Sequence, residues 1–233
     1  MQDEPARARP PQDNADAQLF PRWSTFAARL ALVLLVLLPL GGLGVLMALP
    51  YTPYVTGQTI TPDQPVPFSH EHHVGGLGIE CRYCHTSVEK SRFAGLPPTH
   101  TCMTCHSQLW TNAAVLEPVR RSLTERRPIA WNRVNALPDY VYFDHSIHVA
   151  KGVGCTSCHG PVDTMPLMRQ AAPLTMGWCL DCHRNPAPNL RTEGEIFAGH
   201  WTPPADQERR GPELLAHYGI RTEHLSDCSV CHR

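Results

Sequence analysis

The chain has 233 residues, with 20 Lys and Arg against 21 Asp and Glu and a formal net charge of −1 at pH 7. A balance this close to neutral excludes the basic footprint of a nucleic-acid binder, and the length suits one or two domains. Ten cysteines and 14 histidines are the conspicuous part of the composition.

Residues 1–26 form an N-terminal tail rich in Pro, Asp, Gln and Ala over its first 21 positions, a composition that reads as disordered. A hydrophobic segment follows over residues 27–50. Within it, Leu30 to Pro50 reads LALVLLVLLPLGGLGVLMALP, and at about 1.5 Å per residue such a run spans roughly the 30 Å of bilayer hydrocarbon. It is too long for the apolar part of a signal peptide, and no small-x-small cleavage site follows it, so it reads as an uncleaved transmembrane helix. Arg7, Arg9, Arg22 and Arg29 precede the helix, whereas no Lys or Arg follows before Arg82. That asymmetry predicts a single pass through a bacterial plasma membrane, with the N-terminus cytoplasmic and everything after the helix on the periplasmic side. Pro39, Gly41, Gly42 and Gly44 would weaken an isolated span but let a neighbouring helix approach closely. Residues 51–67, with prolines at 53, 62, 65 and 67, read as an extended connector.

The chemistry begins at Phe68. FSHEHHVGGLGIECRYCH runs from Phe68 to His85, and FDHSIHVAKGVGCTSCH runs from Phe143 to His159; the copies align apart from one extra residue before the cysteines of the first. CMTCH follows the first copy and ends at His106, while CLDCH and CSVCH follow the second and end at His183 and His232. Each CxxCH presents two thiols to the two vinyl groups of one haem and an imidazole to its iron. A zinc ribbon is the competing reading, since the Cys84 to Cys102 gap suits one. Yet histidine after all five CxxC pairs has a chance probability on the order of one in a million, and five pairs do not divide among four-cysteine sites. The expected cofactors are five covalently bound c-type haems, attached through Cys81, Cys84, Cys102, Cys105, Cys155, Cys158, Cys179, Cys182, Cys228 and Cys231. Covalent haem attachment takes place on the outer side of the bacterial plasma membrane, in agreement with the charge asymmetry.

These motifs divide the outer region into a two-haem half, residues 68–142, and a three-haem half, residues 143–233. Stacked porphyrins must supply much of the buried apolar area that such a chain lacks. The expected fold is mainly α with extensive irregular loops, short helices at each CxxCH, and an N-terminal transmembrane helix. Between the halves, Arg120, Arg121, Arg126, Arg127 and Arg133 cluster beside Glu117 and Glu125, most simply as a solvated helix face. Trp110 and Trp131 read as packing residues.

His85, His106, His159, His183 and His232 are the proximal ligands by motif. The Phe-x-His-x-x-His segments resemble those of the small class III multihaem cytochromes. That resemblance implies His70 as distal ligand to the haem of His85, His145 as distal ligand to the haem of His159, and His73 and His148 as ligands to further haems in their halves. His72 rivals His73. A fifth distal ligand is left open among Met165, Met176, His200 and His72, and a thioether there would raise the haem potential relative to bis-histidine. His100, His217 and His224 read as polar surface.

From the anchor to the end, through PFSHEHHVGGLGIECRYCH, CMTCH, YFDHSIHVAKGVGCTSCHG, APLTMGWCLDCHR and CSVCHR, the chain resembles the pentahaem cytochrome subunit of bacterial alternative complex III. The resemblance implies an electron-transfer subunit of a quinol:electron acceptor oxidoreductase. Its implied partners are a large iron–sulfur subunit, polytopic quinone-binding membrane subunits and a monohaem cytochrome c, with electrons leaving for a periplasmic carrier or a terminal oxidase. Two other classes compete. A self-sufficient anchored quinol dehydrogenase would place its haem domain directly after the helix, whereas 31 residues separate Leu49 from Cys81. A catalytic multihaem reductase would need an open iron, and no CxxCK motif is present.

Overall fold

The computed structural model describes residues 20–232, so most of the expected N-terminal tail, including Arg7 and Arg9, lies outside the described residues. The chain divides into two units, Met1–Pro50 and Tyr51–Arg233. In the first unit, helix α1 covers Arg22–Ala48 and closes in a 3-10 turn, Leu49–Tyr51. It starts a few residues before the apolar run because Trp23 to Ala28 hold no helix breaker and Pro21 stands just ahead of the first turn. Pro39 sits inside it, and nothing lies within 4 Å of where a Cβ would stand on Gly41, Gly42 or Gly44. Among the described residues this is the one helix long and apolar enough to cross a membrane.

The second unit is mainly helical, without a named strand among the described residues; two isolated bridges, Gln58 to Gln170 and Val153 to Leu190, are its only β pairings there. Its first helix, α2 (Pro53–Thr56), lies in the segment expected to be extended. Pro53 pre-sets the first helical turn, and Gly57 ends it in the left-handed region at φ 71°. Beyond it, the Thr59 N–H and Gln58 Nε2 donate to the carbonyls of Gln170 and Ala171, and Gln170 Nε2 donates back to Thr56 O. Residues 56–59 are therefore fastened to the three-haem half.

Four of the five CxxCH motifs sit on the short helices α3 (Cys81–Cys84), α4 (Thr99–His106), α7 (Thr156–His159) and α8 (Met176–Arg184). The last occupies the one-turn helix Cys228–Cys231 near the chain end. Helices α5 (Glu117–Glu125) and α6 (His145–Ala150) come between α4 and α7. Of the arginines of α5, Arg121 faces solvent and pairs loosely with Glu117 at 3.9 Å, whereas Arg120 is half-buried and donates to the carbonyls of Thr111 and Ala113.

Apolar packing is confined to small groups. Val66, Leu116 and Val119 cluster with Met103, Ile129 and Trp131, while Met165 and Leu190 are completely enclosed elsewhere. The halves meet where the turn Glu71–Gly76 packs on the 3-10 turn Val162–Thr164. The Glu71 N–H donates to Met165 O, and a Cβ on Gly75 would fall 2.3 Å from the Asp163 carbonyl oxygen. Only glycine allows that approach.

Candidate functional site

Each motif histidine is oriented through its Nδ1. His85 donates to Gly95 O (2.7 Å), His183 to Leu225 O (2.8 Å), His232 to Tyr140 O (3.1 Å) and, more weakly, His106 to Leu109 O (3.3 Å). His159 Nδ1 lies 3.1 Å from the Asn135 amide nitrogen, while Asn135 Oδ1 is buried without a partner. Turning that amide over lets Oδ1 accept from Nδ1–H and satisfies both groups. A proton held on Nδ1 leaves the Nε2 lone pair of each ring free for a metal.

The Phe-x-His-x-x-His segments supply rings opposite these. His73 faces His106 at 6.2 Å between ring centroids, His145 faces His159 at 6.4 Å, and His148 faces His183 at 6.1 Å. A metal–nitrogen bond of about 2 Å on each side, plus about 1 Å from nitrogen to ring centre, puts two imidazoles on opposite sides of one iron roughly 6 Å apart. The three separations fit that span. Nδ1 of His73, His145 and His148 donates to Ser69 O, Arg92 O and Asp144 O at 2.8, 2.8 and 2.7 Å. His70 is held differently, edge-on to Phe68 and close enough to His85, His73 and His159 for their charges to act on it.

Burial sorts the 14 histidines into two groups. The nine expected as ligands, His70, His73, His85, His106, His145, His148, His159, His183 and His232, are half-buried, and His72, His100, His200, His217 and His224 are exposed. His72 stacks on Trp110 at 5.8 Å, and His224 bonds Asp227 at 3.0 Å. Burial, reinforced by neighbouring imidazoles, pushes His70 and His159 down to about 4 and lowers His148 and His73 as well. All four rings are thus neutral near pH 7, the form that binds a metal. Of the two candidate thioethers, Met165 is fully enclosed, with its methyl next to Gly160, whereas Met176 is exposed at the start of α8.

The motif cysteines form a single series in which each motif lies close enough to act electrostatically on the next. The Cys102 charge acts on Cys84, opposing its ionisation after burial has already raised it. Cys81 hydrogen-bonds Cys155, which lowers Cys81 and raises Cys155. Buried Cys158, pushed up to about 12, lies near Cys182 and Cys179, and Cys179 in turn lies near Cys231. In motif order the neighbours run second, first, third, fourth, fifth.

Residues 141–233 match the family of cytochrome c7 and related cytochromes c. Residues 141–233 thus carry a cytochrome c7-like multihaem domain, and covalently bound haem is the group that the cysteine pairs within it serve. The chain is also 37% identical over 98 residues to the protein named "Menaquinone reductase, multiheme cytochrome c subunit" of Nitratidesulfovibrio vulgaris, strain Hildenborough. That match covers 42% of this chain and 46% of the relative, so the chain spans just under half the relative's length. The residues present fit haem on the structure's own terms: ten free cysteines in five pairs, three pairs of imidazoles facing each other at the separation one iron requires, and Nδ1 atoms engaged on the far side.

Asn135 and the carbonyls of Arg92, Tyr140 and Leu225 escaped the sequence reading, because each reaches its histidine from a distant segment. Phe68 and Phe143 were visible as the first letter of a repeated pattern, and both ring-stack the second histidine of their segment.

Proposed function

We propose that the chain is a membrane-anchored pentahaem electron-transfer subunit of a quinol-linked oxidoreductase of the alternative complex III kind. The observation that carries this reading is the set of facing histidine pairs, His73 with His106, His145 with His159 and His148 with His183. By the same logic His70 serves the site of His85, and Met176, exposed where Met165 is enclosed, is the better thioether for the fifth site. A haem held by two histidines of the chain would have no position left for a substrate, which favours electron transfer over a catalytic reductase.

Bound haem supplies a reversible one-electron ferric–ferrous couple. The chain's part is to hold five attachment sites close together and in order, with the second and fifth motifs at the ends of the series. Each half brings two sites together with one helical turn, since His70 and His73, or His145 and His148, are three residues apart. The partners are an iron–sulfur subunit, quinone-binding membrane subunits and a monohaem cytochrome c. With Arg22 and Arg29 in the first turns of α1, ahead of its apolar run, and no further Lys or Arg until Arg82, the N-terminus lies in the cytoplasm and the haem domain on the periplasmic side.

The relative's name places electrons on menaquinone, the opposite direction from quinol oxidation. Stopped-flow mixing of the detergent-solubilised native complex distinguishes the two. Rapid reduction of its haems by menaquinol is the expected result. Oxidation of pre-reduced haems by menaquinone, with no reduction by menaquinol, would reverse the direction, and inertness to both would overturn the quinone-linked reading.

A further inference from the structure

Arg191 is one of the most deeply buried side chains of the protein, at 1% exposure, and it lies on none of the histidine pairs. One guanidinium nitrogen donates to Thr156 Oγ1 at 2.7 Å and to Ser157 Oγ at 3.0 Å, the two residues between Cys155 and Cys158 of the third motif. The guanidinium also covers the Trp201 ring at 4.2 Å and crowds Gly154, where a Cβ would meet its central carbon at 2.2 Å. Its Nε is buried without a hydrogen-bond partner. Among the described residues no carboxylate forms an ion pair with it: Glu195 is near enough for its charge to act on the guanidinium and its carbonyl accepts from Nη1 at 3.5 Å, but its carboxylate is engaged by Arg210 at 2.9 Å and by Thr192. A buried cation without a directly paired anion is costly, and arginine keeps its proton even when burial lowers its affinity for it.

Reduction of a haem adds one negative charge to its site, and a fixed cation in a poorly screened interior favours that form. We propose that Arg191 is a positioning residue of the third haem site, clamping the Cys155–His159 loop and holding the potential of the haem attached there above the value it would have with a neutral side chain at 191. This rests on the reading of the third motif as a haem site.

The test uses the full-length holoprotein in its native complex, with Arg191→Lys and Arg191→Met compared in a redox titration followed by electron paramagnetic resonance. The third-site signal is assigned beforehand as the one altered in His145→Met. In Arg191→Met that haem should move to lower potential by at least a tenfold fall in its reduced-to-oxidised ratio at fixed solution potential, or 59 mV for one electron. Arg191→Lys, which keeps the charge, should stay near the parent, and signals of the other haems should move less. If Arg191→Met fails to mature, Arg191→Gln, which keeps a donor without the charge, carries the same expectation. An unchanged third-site potential in the neutral variant, or an equal fall in Arg191→Lys, overturns the proposal. Failure of the haem-site reading looks different: mass spectrometry of the parent peptide bearing Cys155 and Cys158 would then show no attached haem.

Discussion

Phe68 meets His70 at 4.9 Å and 86° and His73 at 4.3 Å and 25°; in the second copy of the motif Phe143 meets His145 at 4.7 Å and 87° and His148 at 4.5 Å and 28°. The rings are arranged alike, but the backbones that present them differ. The first copy forms a π-helical turn over Glu71–Gly76, the second an α-helix over His145–Ala150. The first copy carries one residue more before its cysteines, and a π turn is how a helix absorbs a single inserted residue. The two segments therefore share the phenylalanine wedge and the histidine spacing, not the helix type. They also differ in their anchors: His145 Nδ1 donates to Arg92 O at 2.8 Å, whereas His70 Nδ1 is buried without a partner among the described residues.

The largest effect should come from removing the first histidine of either copy. His145→Ala should convert one haem from low-spin to high-spin or misligated, seen as a loss of one low-spin signal in the resonance spectrum, and His70→Ala should do the same to a different haem. Loss of the same signal in both would show that the copies do not serve separate sites. The parent spectrum should also distinguish the pairs. Rings of His145 and His159 are within 3° of parallel, and those of His73 and His106 are 65° apart. The parallel pair should give an ordinary rhombic low-spin signal, and the crossed pair one with a much larger maximum g value.

Smaller effects are expected from the backbones. Gly75→Ala places a methyl against the Asp163 carbonyl, a contact the second copy lacks, and should destabilise the holoprotein by about 1–3 kcal/mol in thermal unfolding. At the start of α6, Asp144 accepts from the Ser146 N–H at 2.8 Å, and at the matching place Ser69 accepts from the His72 N–H at 3.0 Å. Asp144→Ala and Ser69→Ala should each cost about 1 kcal/mol in denaturant unfolding without altering the haem spectrum. A spectral change in either would mean that the cap also positions the adjacent histidine.

The sequence made the attachment motifs, the repeat and α1 legible because each is local: a five-residue signature, a spacing, an apolar run. It set aside His100, His217 and His224, which are exposed, but left His72 and His200 open as ligands, and these two are exposed as well. Which ring faces which was less accessible. His148 on α6 meets His183 on α8, 35 residues later, and Asn135 reaches His159 from the loop between the halves. Arg191 was hidden for the same reason, as its role depends on Thr156 and Ser157 lying under a loop far along the chain. Residues 51–67 read as extended from their prolines, yet Pro53 in the first helical position starts a turn, and Gln170 supplies tertiary contacts that hold residues 56–59 in place.

The most direct test is a crystal structure of the haem-loaded protein with anomalous scattering recorded at the iron edge. Five iron peaks in one series are expected, with single peaks between His73 and His106, between His145 and His159, and between His148 and His183. An iron missing from any of those three gaps, or a series in which the second and fifth motifs are not the ends, would contradict the pairing of the histidines and the order of the haems.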